Sequence, residues 1–126
     1  MRIAGARSQE PLQCKWVRSQ SASILRVRGE VDLSNVYMLR DSLDHAWGYG
    51  SPVIVDLTNV TYIDSVGLVA LMQFDEQCSH GGRTRMAVVF ESQFLRNLFS
   101  VRSIQIPFQI FPDVETAASV LVEQTP

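Results

Sequence analysis

At 126 residues and a net charge of −2, the chain is long enough for one domain with its own core and lacks the concentrated basic surface that nucleic-acid binding requires. Hydrophobic residues make up 46% and charged residues 19%, the balance of an ordinary globular protein, and no apolar run approaches the ~20 residues that span a bilayer. Cys14 and Cys78 stand apart from each other and from any His/Cys cluster, so neither a zinc site nor a disulfide framework is indicated. Both are expected as free, buried thiols.

The start, MRIAGARSQE, has no hydrophobic signal-peptide region, and the cytoplasm is the expected location. Residues 1–10 lack apolar periodicity and are expected to be loose, with residues 11–124 forming the domain. Arg2, Arg7, Lys15 and Arg18 make this end mildly basic, which reads as a solvated tail rather than a binding arm. Leu12–Val17 predicts a first strand at a sheet edge. Ile24–Val31 follows, with Leu25 and Val27 alternating against Arg26 and Arg28, the pattern of a strand with one wet face. Ser34 is the expected N-cap of a helix whose apolar stripe is Val36, Leu39, Leu43, Ala46 and Trp47, ended by Gly48 and Gly50.

Val53–Leu57 is short, apolar and rich in β-branched residues, as in a central strand buried on both faces. A polar break is expected over Thr58–Thr61. The pair Asp64–Ser65 then precedes a second helix, Val66–Ser79, closed by Gly81–Gly82. Arg85–Phe90 reads as another strand. Ser92 can cap a third helix carrying Phe94, Leu95, Leu98 and Phe99, and Phe108–Phe111 forms a last strand. Asp113 caps a final helix in which Val114, Ala117, Ala118 and Leu121 recur at i, i+3, i+4 and i+7. Two strands followed by strand–helix alternation imply an α/β domain with a mixed, partly parallel sheet of about five strands. About four helices are expected mainly on one of its faces.

Within that scheme Ser65 is the informative residue. A hydroxyl at a helix start, beside a carboxylate and at the end of a core strand, can cap the helix, attack a substrate or accept a phosphoryl group. The unpaired N–H groups and positive dipole end of a first helical turn favour an incoming phosphate. A nucleophile needs a general base within hydrogen-bond reach. The only histidines are His45, read as a solvent-facing helix residue, and His80, which lies some 20 Å from Ser65 at 1.5 Å per helical residue. No catalytic residue is therefore assigned. Asp64 can favour the second helix through its dipole or mark a surface read by a partner. Asp56 and Asp64 do not read as an acid/base pair. Gly81–Gly82 lacks the spacing of a phosphate loop, and no cofactor or metal site is expected.

The segments RVRGEVDLSNVYMLRDSL, VIVDLTNVTYIDSVGLVAL and FLRNLFSV with FQIFPDVETAASVL, spanning about Leu12 to Val122, resemble the STAS domain. More narrowly, they resemble the bacterial anti-sigma factor antagonists, also called anti-anti-sigma factors. The resemblance implies that the serine after the aspartate, here Ser65, is phosphorylated by an anti-sigma factor with a GHKL-type serine kinase fold. It also implies that Asp32, in the turn before the first helix, lies near the same surface. The partner-binding residues would be Asp32, Asp64, Ser65, Val66 and Gly67. The unphosphorylated chain would bind the anti-sigma factor and release a sigma factor, without chemistry of its own and without contacting nucleic acid. A serine phosphatase could reset the switch. This sequence departs from the family's pattern at Val66, where a Ser or Thr is common, and at Val69, where a glycine is common. Val66 sustains an alternative expectation: a STAS interaction module that does not cycle through phosphorylation, such as a scaffold component or a subunit docking on a transporter ATPase.

Overall fold

The computed structural model describes residues 11–19, 22–46, 52–81, 86–100 and 106–124. The expected loose segment 1–10, Trp47, Gly48, Gly50, Gly82 and Arg85 lie outside them. Five strands form one sheet in sequence order: β1 (Gln13–Arg18), β2 (Ser23–Val31), β3 (Val53–Ile63), β4 (Met86–Val89) and β5 (Gln109–Phe111). The β1–β2 pair is antiparallel, and the other neighbours are parallel. Lys15 and Arg18, read from sequence as part of a basic tail, belong to β1.

Each parallel step needs a crossover, and the chain supplies helices for it: α1 (Val36–Ala46), α2 (Ser65–Gly81) and α3 (Gln93–Ser100). Right-handed crossovers in a sheet that grows in one direction place all three helices on one face. The larger core lies there. Val27, Val31, Val55, Leu57 and Ile63 of the sheet meet Leu39 and Leu43 of α1, Leu68, Leu71 and Phe74 of α2, and Leu95 and Phe99 of α3. Trp16 fastens the edge strand to this layer, its Nε1–H donating to the Ser42 carbonyl at 2.9 Å. The opposite face carries a smaller core. Ile24, Ile54, Ala87 and Val89 are covered by Ala117 and Leu121 of α4 (Val114–Gln124). Four helices, mainly on one face, match the sequence expectation.

Two local expectations are corrected. The polar run Thr58–Thr61 does not break the strand, because β3 continues to Ile63 alongside Arg28–Val31 of β2. Val60 and Ile63 are buried and supply the apolar contacts that hold this extension, while Thr58, Asn59 and Thr61 face outward. The register shifts between Arg26 and Arg28 and again between Gly29 and Glu30, so strict alternation is lost and the stretch imitates a turn. Gly29 accommodates this irregularity with φ of 105°, a conformation that side chains disfavour. The second correction concerns Ser34, which does not cap α1; Asp32 organises that turn.

Candidate functional site

The two aspartates of interest end adjacent parallel strands, so the sheet itself sets them side by side. Val31 pairs with Ile63, and the Asp64 N–H donates to the Val31 carbonyl at 3.1 Å. Two strand-to-helix turns thus meet at one edge of the sheet, one leading into α1 and the other into α2.

In the first turn, the Asp32 carbonyl accepts the N–H groups of Asn35 (3.1 Å) and Val36 (2.9 Å). The Asp32 N–H donates to Asn35 Oδ1 at 2.9 Å, and Asn35 Nδ2 donates to the Glu30 carbonyl at 2.8 Å. This reciprocal arrangement is that of a capping box, with Asn35 in the role usually taken by Glu or Gln. The Asp32 carboxylate accepts both the N–H and the hydroxyl of Ser34. Ser34 is therefore a donor to the capping residue. Its hydroxyl is already committed.

In the second turn Asp64 is the N-cap. One carboxylate oxygen accepts the Val66 N–H at 3.1 Å, and its carbonyl accepts Gly67 (3.1 Å) and Leu68 (3.2 Å). Ser65 is the first residue of α2 and is exposed, and its hydroxyl makes no hydrogen bond to any described residue. The cap that a lone serine could have supplied comes from its neighbour. Val66 is half-buried against the larger core. Gly67 is buried, and a Cβ there would lie 2.5 and 2.7 Å from two side-chain carbons of Ile63 and 3.0 Å from Val31. Only hydrogen at this position lets the first turn of α2 settle on the two strand ends. The structure thus brings Asp32, Asp64 and Ser65 to one edge, with Val66 and Gly67 seating the helix beneath.

The first turn of α2 holds no acidic side chain after the cap. Its positive end faces the Ser65 hydroxyl without a resident anion on the helix itself, a setting that tolerates an added phosphate. His80 is at the far end of α2, exposed and 3.8 Å from Glu76, and His45 is exposed at the far end of α1. Neither can act as base for Ser65. Among the described residues no cluster of His, Cys, Asp and Glu has the makings of a metal site. Cys78 is buried as expected, whereas Cys14, on the edge strand, is only half-buried; burial raises the Cys14 thiol and pushes Cys78 up to about 12, with Asp75 adding to the latter.

Sequence reasoning did not single out Asn35, whose role depends on three bonds that close only when the turn is built. It also did not single out Leu33 and Tyr37, which are 75% and 60% exposed beside Asp32. Leu33 lies in the turn before α1, and Tyr37 falls off the Val36–Leu39–Leu43 stripe that meets the core, so both side chains face solvent.

The chain is a small α/β domain with an exposed serine at the start of α2. Residues 15–117 match the family model of the STAS domain, and the chain belongs to that family. No curated protein matches its sequence. Among solved structures it is similar to an anti-sigma factor antagonist from Mycobacterium paratuberculosis, with a TM-score of 0.81 at 20% identity over 92% of this chain and 98% of that one. It is also similar to a putative anti-sigma factor antagonist from Thermotoga maritima (TM-score 0.75, 17% identity, covering 86% and 93%). The STAS-type likeness extends to murine Solute Carrier 26 family member A9, an anion transporter, at a TM-score of 0.69 and 18% identity, covering 83% of this chain and 18% of the transporter. Among the described residues, no helix is long and apolar enough to cross a membrane.

Proposed function

We propose that residues 11–124 form an anti-sigma factor antagonist that works by partner switching in the cytoplasm. The unphosphorylated chain binds an anti-sigma factor of GHKL-type serine kinase fold through the Asp32 turn and the start of α2, and a sigma factor is released. Phosphorylation of Ser65 by that partner ends the interaction, and a serine phosphatase restores it. The protein is the substrate and performs no catalysis. The observation that carries this reading is the division of labour at α2: Asp64 supplies the cap, so the exposed Ser65 hydroxyl can be modified without unmaking the helix start.

Phosphate adds about 1.5–2 negative charges at neutral pH, close to the carboxylates of Asp64 and Asp32. A partner surface packed against this edge would meet both bulk and repulsion. The test is to incubate the protein with candidate anti-sigma kinases and ATP, map the modified residue by mass spectrometry, and titrate both forms against the partner. Phosphate on another serine with Ser65 untouched, or equal affinity of the two forms, would reject the switch.

Val66 and the likeness to a transporter's STAS region favour a second reading, in which the same edge docks on a transporter or scaffold without phosphorylation. Co-purification from the native cell followed by intact-mass measurement separates the two. An ATPase-fold partner with a phosphorylated fraction supports the first, and a transporter component with only unmodified chain supports the second.

A further inference from the structure

The face of the sheet opposite α1–α3 is covered unevenly. Helix α4 packs on β3, β4 and β5, with Val17, Ile24 and Ile54 reaching the smaller core beneath it. Beyond that margin the same face of β1 and β2 is polar. Two residues along from Val17 is Lys15, and two and four along from Ile24 are Arg26 and Arg28, all three exposed. Alternation along a strand puts them on one face, and the antiparallel register sets Lys15 directly opposite Arg26, with Gln13 opposite Arg28.

Like charges directly opposed across a ladder are destabilising. The nearby acids do not resolve the conflict at the Lys15–Arg26 pair. Asp56 is next to Arg26 in the parallel register, but its carboxylate accepts the N–H and hydroxyl of Thr58, and neither Arg26 nor Lys15 forms an ion pair with a described residue. Glu30, two residues beyond Arg28, is buried at 2% exposure and closed to an incoming molecule. Three of the six lysines and arginines among the described residues, Lys15, Arg26 and Arg28, share this face in a chain whose net charge is negative, while Arg18, next to Val17, alternates to the other side. Positive charge is gathered where α4 leaves the sheet bare.

We propose that the bare face of β1 and β2 is a docking surface for an acidic protein segment, separate from the Ser65 edge. Carboxylates are the complement that would turn the opposed Lys15–Arg26 pair from a cost into an attraction. Nucleic acid fits less well. The patch has few cations, and no described aromatic residue stands among them to stack on bases. A lipid surface fits less well too, since no exposed apolar side chain accompanies the charges.

The test uses the full, unphosphorylated, isotope-labelled chain titrated at low salt with a peptide of consecutive glutamates. A short DNA duplex and phosphatidylserine vesicles serve as rival probes. The expected result is amide perturbation confined to β1 and β2, weakening with added salt, and affinity reduced at least about tenfold, or 1.4 kcal/mol, in the Arg26→Glu/Arg28→Glu double variant. Lys15→Glu keeps the test decisive if the double variant folds poorly. It creates an opposed ion pair with Arg26, so its melting temperature should equal or exceed that of the wild type while peptide affinity falls. Saturating peptide that leaves β1 and β2 unperturbed, affinity unchanged in well-folded Lys15→Glu, or tighter binding of DNA or vesicles at these residues would overturn the proposal.

Discussion

The two turns at the sheet edge are built alike and finish differently. Each places an aspartate at the end of a parallel strand, and each aspartate collects the N–H groups of the helix start that follows. Each also has a serine close behind. In the first turn the Ser34 hydroxyl donates to Asp32, and Asn35 ties the loop back to Glu30. In the second turn Ser65 follows its cap immediately and, as the first helical residue, points its hydroxyl outward. The lesson is that a D-x-S spacing consumes the hydroxyl, whereas a D-S spacing presents it.

The largest effect expected from this contrast is on binding. Phosphorylation should fall on Ser65 and not on Ser34, and titration calorimetry should show partner affinity cut more than a hundredfold, about 3 kcal/mol. Ser65→Ala should bind normally and resist inactivation. Ser65→Glu should weaken binding partially, since a carboxylate carries less charge than a phosphate. Modification of Ser34 at a comparable rate would erase the distinction between the turns.

Stability comes next. Gly67→Ala forces a methyl into Ile63, and overpacking of this kind costs about 1–3 kcal/mol, readable by urea denaturation. An unchanged midpoint would mean that α2 is not held close to the strand ends. Smaller is the loss of either cap. Asp64→Ala should cost about 0.5–2 kcal/mol, and Asn35→Ala a comparable amount because it removes both the bond from the Asp32 N–H and the one to the Glu30 carbonyl. If Asp64→Ala were neutral while Ser65→Ala was costly, Ser65 would be the true cap and the comparison would invert.

The smallest effect is a pH dependence at a third aspartate. Hydrogen bonds from the Thr116 backbone and side chain hold the fully exposed Asp113 carboxyl below its ordinary value. A depressed folded-state value means the cap on α4 is present above the unfolded carboxylate value and is lost as pH falls through the folded one. Asp113→Asn should flatten that acid limb in a series of thermal melts, and an unaltered profile would place the dependence elsewhere.

Much of the architecture was legible because hydrophobic period and turn residues agreed. The i, i+3, i+4, i+7 repeat from Val114 to Leu121 and the Asp113 cap before it are where expected, as are Ser92 before α3 and the core strand at Val53–Leu57. What was not legible depended on neighbours distant in sequence. Thr58–Thr61 reads as a break in isolation, yet it is strand because Arg28–Val31 offers hydrogen-bond partners that a local window cannot see. Ser34 and Asp32 compete for one capping role, and only the bonds of Asn35 decide between them. Asp64 and Ser65 were legible as a pair at the helix start, but which of the two caps it required coordinates.

The uneven dressing of the sheet also bears on how the chain is made. Ile54, Ala87 and Val89 leave the ribosome well before Ala117 and Leu121, which cover them. During synthesis the front layer can assemble as each crossover helix follows its strand, while the reverse side stays naked until α4 arrives. A chain in which β5 has folded onto the sheet and α4 has not yet docked would hold a finished sheet with a greasy back. Such a species invites chaperone capture or sticking to its copies. Ending the chain after Pro112, which removes α4 and leaves all five strands, should therefore lower soluble yield sharply relative to the full chain.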